Sequence, residues 1–370
     1  MRDRIDSLTG LRAVAAFAVC VTHAAFWAGD FTPDWHGAAF ARLDAAVPVF
    51  FTLSGFLLAR PWISAARAGS AAPSVRRYGA HRFWRVVPGY WLVVSVVYLI
   101  YTVRADGTHS GHGVGGYLRH MLFVQMYGPG HVKTGLTQTW SMCVEVAFYL
   151  VLPILGSWLV MASRSGFRLW RPLVGLAAIA ALSLGWVAFT CGTTVLDDTS
   201  RTWPPTFGVC FAAGAALAVA GPVRLPAWGS WGCAASAVAA YALLMSGLAG
   251  PIDLSRPSAW QGAVKLALYA AFGAAMVTPL AFGSGNSVAT RVLGSRIMVW
   301  LGDISYEYFL IHVMVMDVVV LDVFGWSLFR GQVWPIVAVT TAVTVPLAWA
   351  LRTGVDRLHR ATRARRPAAV

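Results

Sequence analysis

The sequence predicts an all-α fold, a polytopic membrane helical bundle of about ten transmembrane helices with both termini cytoplasmic. Three observations carry that expectation. The 370-residue chain is 58% hydrophobic and only 12% charged, with a mean hydropathy of +0.63, far from the balance of a soluble domain. Apolar runs recur along it between Pro, Gly and Arg clusters, and each is long enough for a roughly 30 Å hydrocarbon core, which takes about 20 residues. Basic residues are unevenly distributed. With the N-terminus inside, 21 of the 29 Lys and Arg fall in the inner segments 1–12, 60–85, 164–171, 224, 291–296 and 352–366, seven fall outside, and Lys265 alone lies within a span. That asymmetry accounts for the net charge of +14 without a nucleic-acid partner, and the plasma membrane is the expected location.

The first span, 8–29, follows "MRDR" and is too long for a secretory h-region, so it reads as a retained helix. The second, 45–64, contains "FFTLSGFLL", and the third, 84–104, is approached through "RRYGAHRFWRVVPGY", whose arginines mark the inner face. The outer loop 105–137 is the longest. Its Gly-rich "ADGTHSGHGVGGYLRH" reads as a surface loop, so no metal site is expected of His109, His112 and His120, and "MLFVQM" is too short to span and reads as re-entrant or interfacial. The remaining spans are 138–161, 171–190, 204–221, 229–248, 260–282, 297–322 and 332–351. No repeat or polar linker divides the chain, so residues 1–351 form one membrane domain and 352–370 a basic cytoplasmic tail suited to anionic lipid. Cys20, Cys143, Cys191, Cys210 and Cys233 lack metal-type spacing and read as packing residues.

Depth along each span follows from the 1.5 Å helical rise. His23 falls roughly 9 Å from the outer end of its span, Glu145 roughly 10 Å, and Ser54 and His312 roughly 13 to 15 Å. These four therefore share one layer if their helices face one interior. A lone Ser in a span ordinarily bonds its own helix carbonyl, "SGF" also reads as a packing motif, and His312 beside Tyr306 and Tyr308 reads equally as a satisfied interior partner. A carboxylate at such depth costs a few kcal/mol when unpaired, so a His23–Glu145 pair in a cavity is the expectation. Toward the inner face, Arg82 and Arg85 lie on one helix face, and Arg12 sits roughly 16 Å below His23. Guanidinium groups bind phosphate in bidentate fashion, so these arginines suit a phosphorylated cofactor with a long thin arm. Arg76 and Arg77 read mainly as inner-face anchors, with Arg77 retained as a cofactor candidate.

These residues resemble the membrane acyltransferase 3 family, whose members transfer acyl groups, commonly acetyl, from acyl-CoA to hydroxyls of sugars, cell-surface polymers or natural products. "LTGLRAVAAFAVCVTH" resembles the family's Arg-x10-His first helix, "PVFFTLSGFLL" its FF-x-x-SGF pattern, and "HRFWRVVPGY" its R-x-x-R-x-x-P-x-Y stretch. "QTWSMCVEVAFYLVLP" resembles the W-S-x-x-x-E-x-x-F-Y helix, carrying Trp140, Ser141, Glu145 and Tyr149, and "LGDISYEYFLIH" the late G-x-I-S-Y…H helix. Two departures stand out. Pro48 occupies a position that is often acidic, leaving any such role to Asp44, and Phe309 replaces a frequent second tyrosine, leaving Tyr306 as the hydroxyl donor there.

The resemblance implies acyl-CoA, with acetyl-CoA favoured, as co-substrate without a metal, its phosphates near Arg12, Arg82 and Arg85. It implies His23 as general base, Glu145 as the group that orients it, and Ser54, Tyr306 or His312 as oxyanion donors. Trp140, Ser141 and Tyr149 are then substrate contacts. A covalent route through Ser54 or Ser141 stays open. Some relatives carry a fused SGNH-type esterase domain, and none follows span ten here, so the acceptor is expected to meet the membrane domain directly or through a separate partner. That favours a sugar or glycosylated natural product over a finished wall polymer. The expected partners are the lipid bilayer, acyl-CoA and a hydroxyl-bearing acceptor, and a homo-oligomer stays open. A proton-coupled secondary transporter is the alternative reading, because it also uses intramembrane His and Glu.

Overall fold

The computed structural model describes residues 4–104, 113–128, 133–221, 223–253, 255–283, 285 and 287–364, which form helices joined by turns. Helix α1 (Asp6–Ala28) is followed by α2 (Trp35–Arg42), whose N-terminus Asp34 caps by accepting from the Gly37 backbone N–H at 2.8 Å. A tight turn at Leu43–Ala45 carries α2 into α3 (Ala46–Ala68), so this apolar stretch runs beyond the predicted limits of 45–64. Helix α4 (Val75–Val103) starts on a Ser74 cap, ahead of the limit predicted at 84, and Arg76, Arg77, Arg82 and Arg85 are therefore helical. The loop predicted at 105–137 contributes α5 (Gly113–Met121). After it the backbone turns at Phe123, whose φ is +58° and whose ring stacks on Tyr90 at 4.2 Å, so "MLFVQM" leaves its helix and folds back onto α4.

Helices α6 (Trp140–Ala162), α7 (Trp170–Gly192), α8 (Gly208–Ala220), α9 (Ala227–Met245) and α10 (Ala259–Phe282) follow. The short α11 (Val288–Leu293), α12 (Arg296–Asp303), α13 (Ser305–Val318) and the long α14 (Val333–Ala364) complete the chain. Among the described residues, eight helical segments are long and apolar enough to cross a bilayer, or nine when the bent α12–α13 pair counts as one span. The predicted span 229–248 is occupied by α9. Gly, Ser and Trp in its first two turns dilute its apolar character, and it is not among those eight.

The predicted span 297–322 is not one straight helix, because the chain bends by 66° between α12 and α13. Gly302 packs so tightly that a Cβ there would lie 2.0 Å from the Thr9 carbonyl oxygen, and Ser305 Oγ donates to the Gly302 carbonyl at 2.8 Å across the break. Beyond residue 351 the chain continues as α14 to Ala364. Arg352 pairs with Asp356 at 3.0 Å and approaches Glu307 at 3.6 Å, and His359 stacks on Trp84 at 4.6 Å.

Helix α3 is central, lying against α1, α6, α8 and α10. Its closest approach is to α8, where a Cβ on Gly55 would meet the Phe211 carbonyl oxygen at 2.2 Å, and one on Gly214 the Thr52 carbonyl oxygen at 2.0 Å. Small residues permit such contact in lipid, where dispersion and close packing drive helix association. All five thiols are free, and four of them are buried.

Candidate active site

Five helices bound one cavity of about 820 Å³. Arg12 reaches it from α1, Ser54 and Arg60 from α3, Arg82 and Arg85 from α4, Ser141, Glu145 and Tyr149 from α6, and α13 adds Tyr306 and Phe309. At one end the cavity reaches exposed Ser70 and Ala71 in the turn after α3. At the other it ends among Val47, Phe50, Phe51, Met142 and Phe309, most of them buried. The arginines that the sequence grouped on one face thus reach the same space as the deep carboxylate.

Glu145 is held by hydroxyls. Its Oε1 accepts from Ser54 Oγ across the helix interface at 2.9 Å and from Tyr149 Oη one turn along its own helix. Ser54 therefore does not bond its own helix carbonyl, while its neighbour Gly55 makes the close contact with α8, so "SGF" serves both purposes. The Arg82 guanidinium lies 5.7 Å over the Tyr149 ring, and its buried Nε has no hydrogen-bond partner.

The two histidines meet each other. His23 Nδ1 lies 2.9 Å from His312 Nε2, with ring centroids 5.1 Å apart. His312 is fully buried, and its Nδ1 lies 2.8 Å from the Phe309 carbonyl oxygen. A carbonyl only accepts, so the proton sits on His312 Nδ1, its Nε2 accepts, and His23 Nδ1 donates. His23 Nε2 is left with its lone pair, and its ring is only partly buried. A second imidazole and a backbone carbonyl thus fix the His23 ring, and neither histidine is among the residues that line the cavity.

Several expectations need correction. Glu145 does not orient His23: Ser54 and Tyr149 occupy the carboxylate, and direct packing of α1 on α13 brings His312 to His23 instead. Both ring nitrogens of His312 are engaged, Nδ1 with the Phe309 carbonyl and Nε2 with His23. The Tyr306 hydroxyl donates to the Val86 carbonyl at 2.8 Å, tying α13 to α4, so its proton is also engaged. Ser141 lines the cavity but donates to the Gln138 carbonyl at 3.2 Å. Trp140 stays out of the lining and packs on Phe207 and Phe51, with centroids at 5.1 and 6.3 Å. Arg77 is exposed in the first turn of α4 and does not line the cavity.

Arg60 stands at the mouth instead, its guanidinium 5.4 Å from the Phe56 ring. In the sequence it stands only as inner-face charge, and its signal is its place as the first cation at the inner end of the second span. Asp44 pairs with Lys265 at 3.2 Å and does not line the cavity, so the cation of α10 has an acidic partner. His120 lies 2.8 Å from the Gly116 carbonyl and 3.2 Å from the Tyr98 hydroxyl, whereas His109 and His112 lie outside the described residues. Among the described residues no group of three or more His, Cys, Asp or Glu is arranged to hold a metal.

Comparison with known proteins places the chain in a family. Residues 5–353 match the family model Acyl_transf_3, described as an acyltransferase domain. Acyltransferase MdmB of Streptomyces mycarofaciens is 28% identical over 346 residues, covering 89% of this chain and 82% of that one. Peptidoglycan O-acetyltransferase OatA of Listeria monocytogenes is 24% identical over 191 residues, covering 49% of this chain but only 29% of its own length. No solved structure matches the chain.

Proposed function

The chain belongs to the membrane-bound acyltransferase 3 family, and on that footing we propose that it moves an acyl group, favouring acetyl, from acyl-CoA to a hydroxyl of a sugar, glycosylated natural product or cell-surface glycan, with His23 as the general base. The observation that carries this reading is a single cavity in which four guanidinium groups share space with the Ser54–Glu145–Tyr149 cluster. Oxygen as the accepting atom and acetyl as the group agree with the name of the OatA relative. The transporter alternative is set aside by the family match.

In this reading the arginine-rich end is cytoplasmic. Arg12, Arg60, Arg82 and Arg85 hold the phosphates of CoA, and the pantetheine arm runs inward along the cavity. His23 Nε2 removes the acceptor's hydroxyl proton as its oxygen attacks the thioester carbonyl. His312 steadies the resulting imidazolium, because its Nε2 lone pair faces the His23 Nδ1–H. Collapse of the tetrahedral intermediate expels the CoA thiolate, which takes the proton from His23 and leaves as thiol. The free N–H on Arg82 Nε is a donor available to a ligand oxygen.

The Ser54–Glu145 distance of 2.9 Å favours one second route, in which Glu145 takes the Ser54 proton and Oγ attacks the thioester first. That route leaves an acyl-serine when no acceptor is present, and mass spectrometry of the Ser54 peptide after incubation with labelled acetyl-CoA detects it. The test of the main reading uses proteoliposomes, acetyl-CoA and candidate alcohols, with acceptor-dependent release of free CoA thiol as the signal. His23→Ala should slow that release by about 10² to 10⁴-fold, the usual worth of a general base, while CoA still binds. Thiol release at the wild-type rate in this variant ends the assignment.

A further inference from the structure

Beside the candidate active site, α4 and α6 stand apart and leave a second cavity of about 710 Å³. Its walls follow one helical stripe from Val75 to Val87 on α4 and another from Val146 to Met161 on α6, with the three- and four-residue spacing of a single helix face. Nearly all of these side chains are apolar, and Phe83, Leu150, Ile154 and Trp158 are exposed, so the groove opens sideways toward hydrocarbon. Arg82, Val86 and Tyr149 line both spaces, and the Arg82 guanidinium over the Tyr149 ring forms the partition between them.

Two features point to a ligand that crosses this partition. The buried Arg82 Nε has no partner, so a donor is unused where a polar compartment meets an apolar one. The deep end of the main cavity is lined by Phe50, Phe51, Met142 and Phe309. The groove is the continuous apolar volume.

We infer that the α4–α6 groove is the acyl-chain subsite of the donor, which rests on the acyl-CoA reading above. A donor with its phosphates on Arg12, Arg60 and Arg85 passes its chain by Tyr149 into the groove, and the Arg82 Nε–H at the partition donates to an oxygen of the same molecule. Charge favours this occupant over a bilayer phospholipid. The adjoining mouth carries four guanidinium groups against one carboxylate, a surplus suited to the multiply phosphorylated head of the same molecule.

The test uses the full-length protein in phosphatidylcholine nanodiscs and an S-alkyl-CoA thioether with a terminal diazirine on a chain of roughly ten carbons, long enough to fill apolar space that an acetyl group leaves empty. Irradiation should label peptides spanning 75–87 and 146–161, and excess free CoA should remove most of that label. Gly79→Trp places its side chain in the groove, since a Cβ there meets no atom within 4 Å. It should lower groove labelling about ten-fold, equivalent to about 1.4 kcal/mol, while binding of S-ethyl-CoA stays within about two-fold.

Label in the groove that CoA does not displace marks a bilayer-lipid site and overturns the inference, as does labelling that Gly79→Trp leaves unchanged. Label elsewhere or nowhere, with S-ethyl-CoA still bound, overturns the chain subsite and leaves the acyl-CoA reading standing. Loss of S-ethyl-CoA binding in the wild type removes both.

Discussion

The two ends of α4 carry arginines in opposite electrical settings. At one end Arg82 and Arg85 join Arg12 and Arg60 around the cavity, where Glu145 is the only acid in the wall. Arg85 does approach Glu307 at 3.3 Å, but that carboxylate is shared with Arg352 at 3.6 Å. At the other end Arg104 reaches Asp317 at 3.0 Å and Asp322 at 2.8 Å, and Asp317, only 1% exposed, also accepts the Tyr101 hydroxyl at 2.6 Å. Lys133 lies 4.9 and 5.4 Å over the Tyr98 and Tyr101 rings beside this network. Holding unpaired charge away from water costs several kcal/mol, so a surplus of one sign persists where a ligand supplies the other. Charge balance, rather than the number of arginines, separates the proposed binding end from the structural end.

The largest effect is expected at the balanced end. Asp317→Asn leaves the Arg104 guanidinium without its buried partner and should destabilise the fold by about 3 to 5 kcal/mol, read as a lowered unfolding midpoint in micelles. Acyl-CoA binding by the surviving folded fraction should not change. The opposite pattern is expected at the cavity. Arg12→Ala removes a cation that has no acid within ion-pair reach among the described residues, so stability should hold while the Kd for acetyl-CoA rises about 10 to 100-fold, the worth of one or two charge-assisted hydrogen bonds. An Arg12→Ala protein that unfolds early yet binds the donor normally would break the contrast.

Much of the bundle was legible because hydropathy reports the length and apolar character of a span directly. The site was legible in height and illegible in azimuth. Helical rise put His23, Glu145, Ser54 and His312 in one layer, but which of them touch depends on how each helix is rotated and which helix lies next to it. Packing of α1 on α13 joined the imidazoles, and packing of α3 on α6 joined Ser54 to Glu145. The bend after Gly302 was hidden because it arises from the close approach of the Thr9 carbonyl, a tertiary contact between distant segments. Tyr306 was assigned by its chemistry, and only the neighbouring Val86 carbonyl reveals where its proton goes.

The smallest effect separates contact from field at the cavity mouth. Arg60 is exposed and rests on Phe56, with no acid within ion-pair reach among the described residues, so its long side chain reaches water rather than a fixed partner. A cation so placed attracts a polyanion over distance and gains little from any one hydrogen bond. Arg60→Ala should therefore raise the KM for acetyl-CoA only about two- to five-fold, in line with exposed charge pairs worth about 1 kcal/mol or less. The difference should shrink toward nothing near 1 M salt, where the Debye length is about 3 Å. Arg12, enclosed deeper in the same cavity, should retain most of its effect at that ionic strength because a partly buried pair is screened much less. If both arginines lose their effect equally with salt, the mouth works as a diffuse field throughout, and the contact role given to Arg12 falls with it.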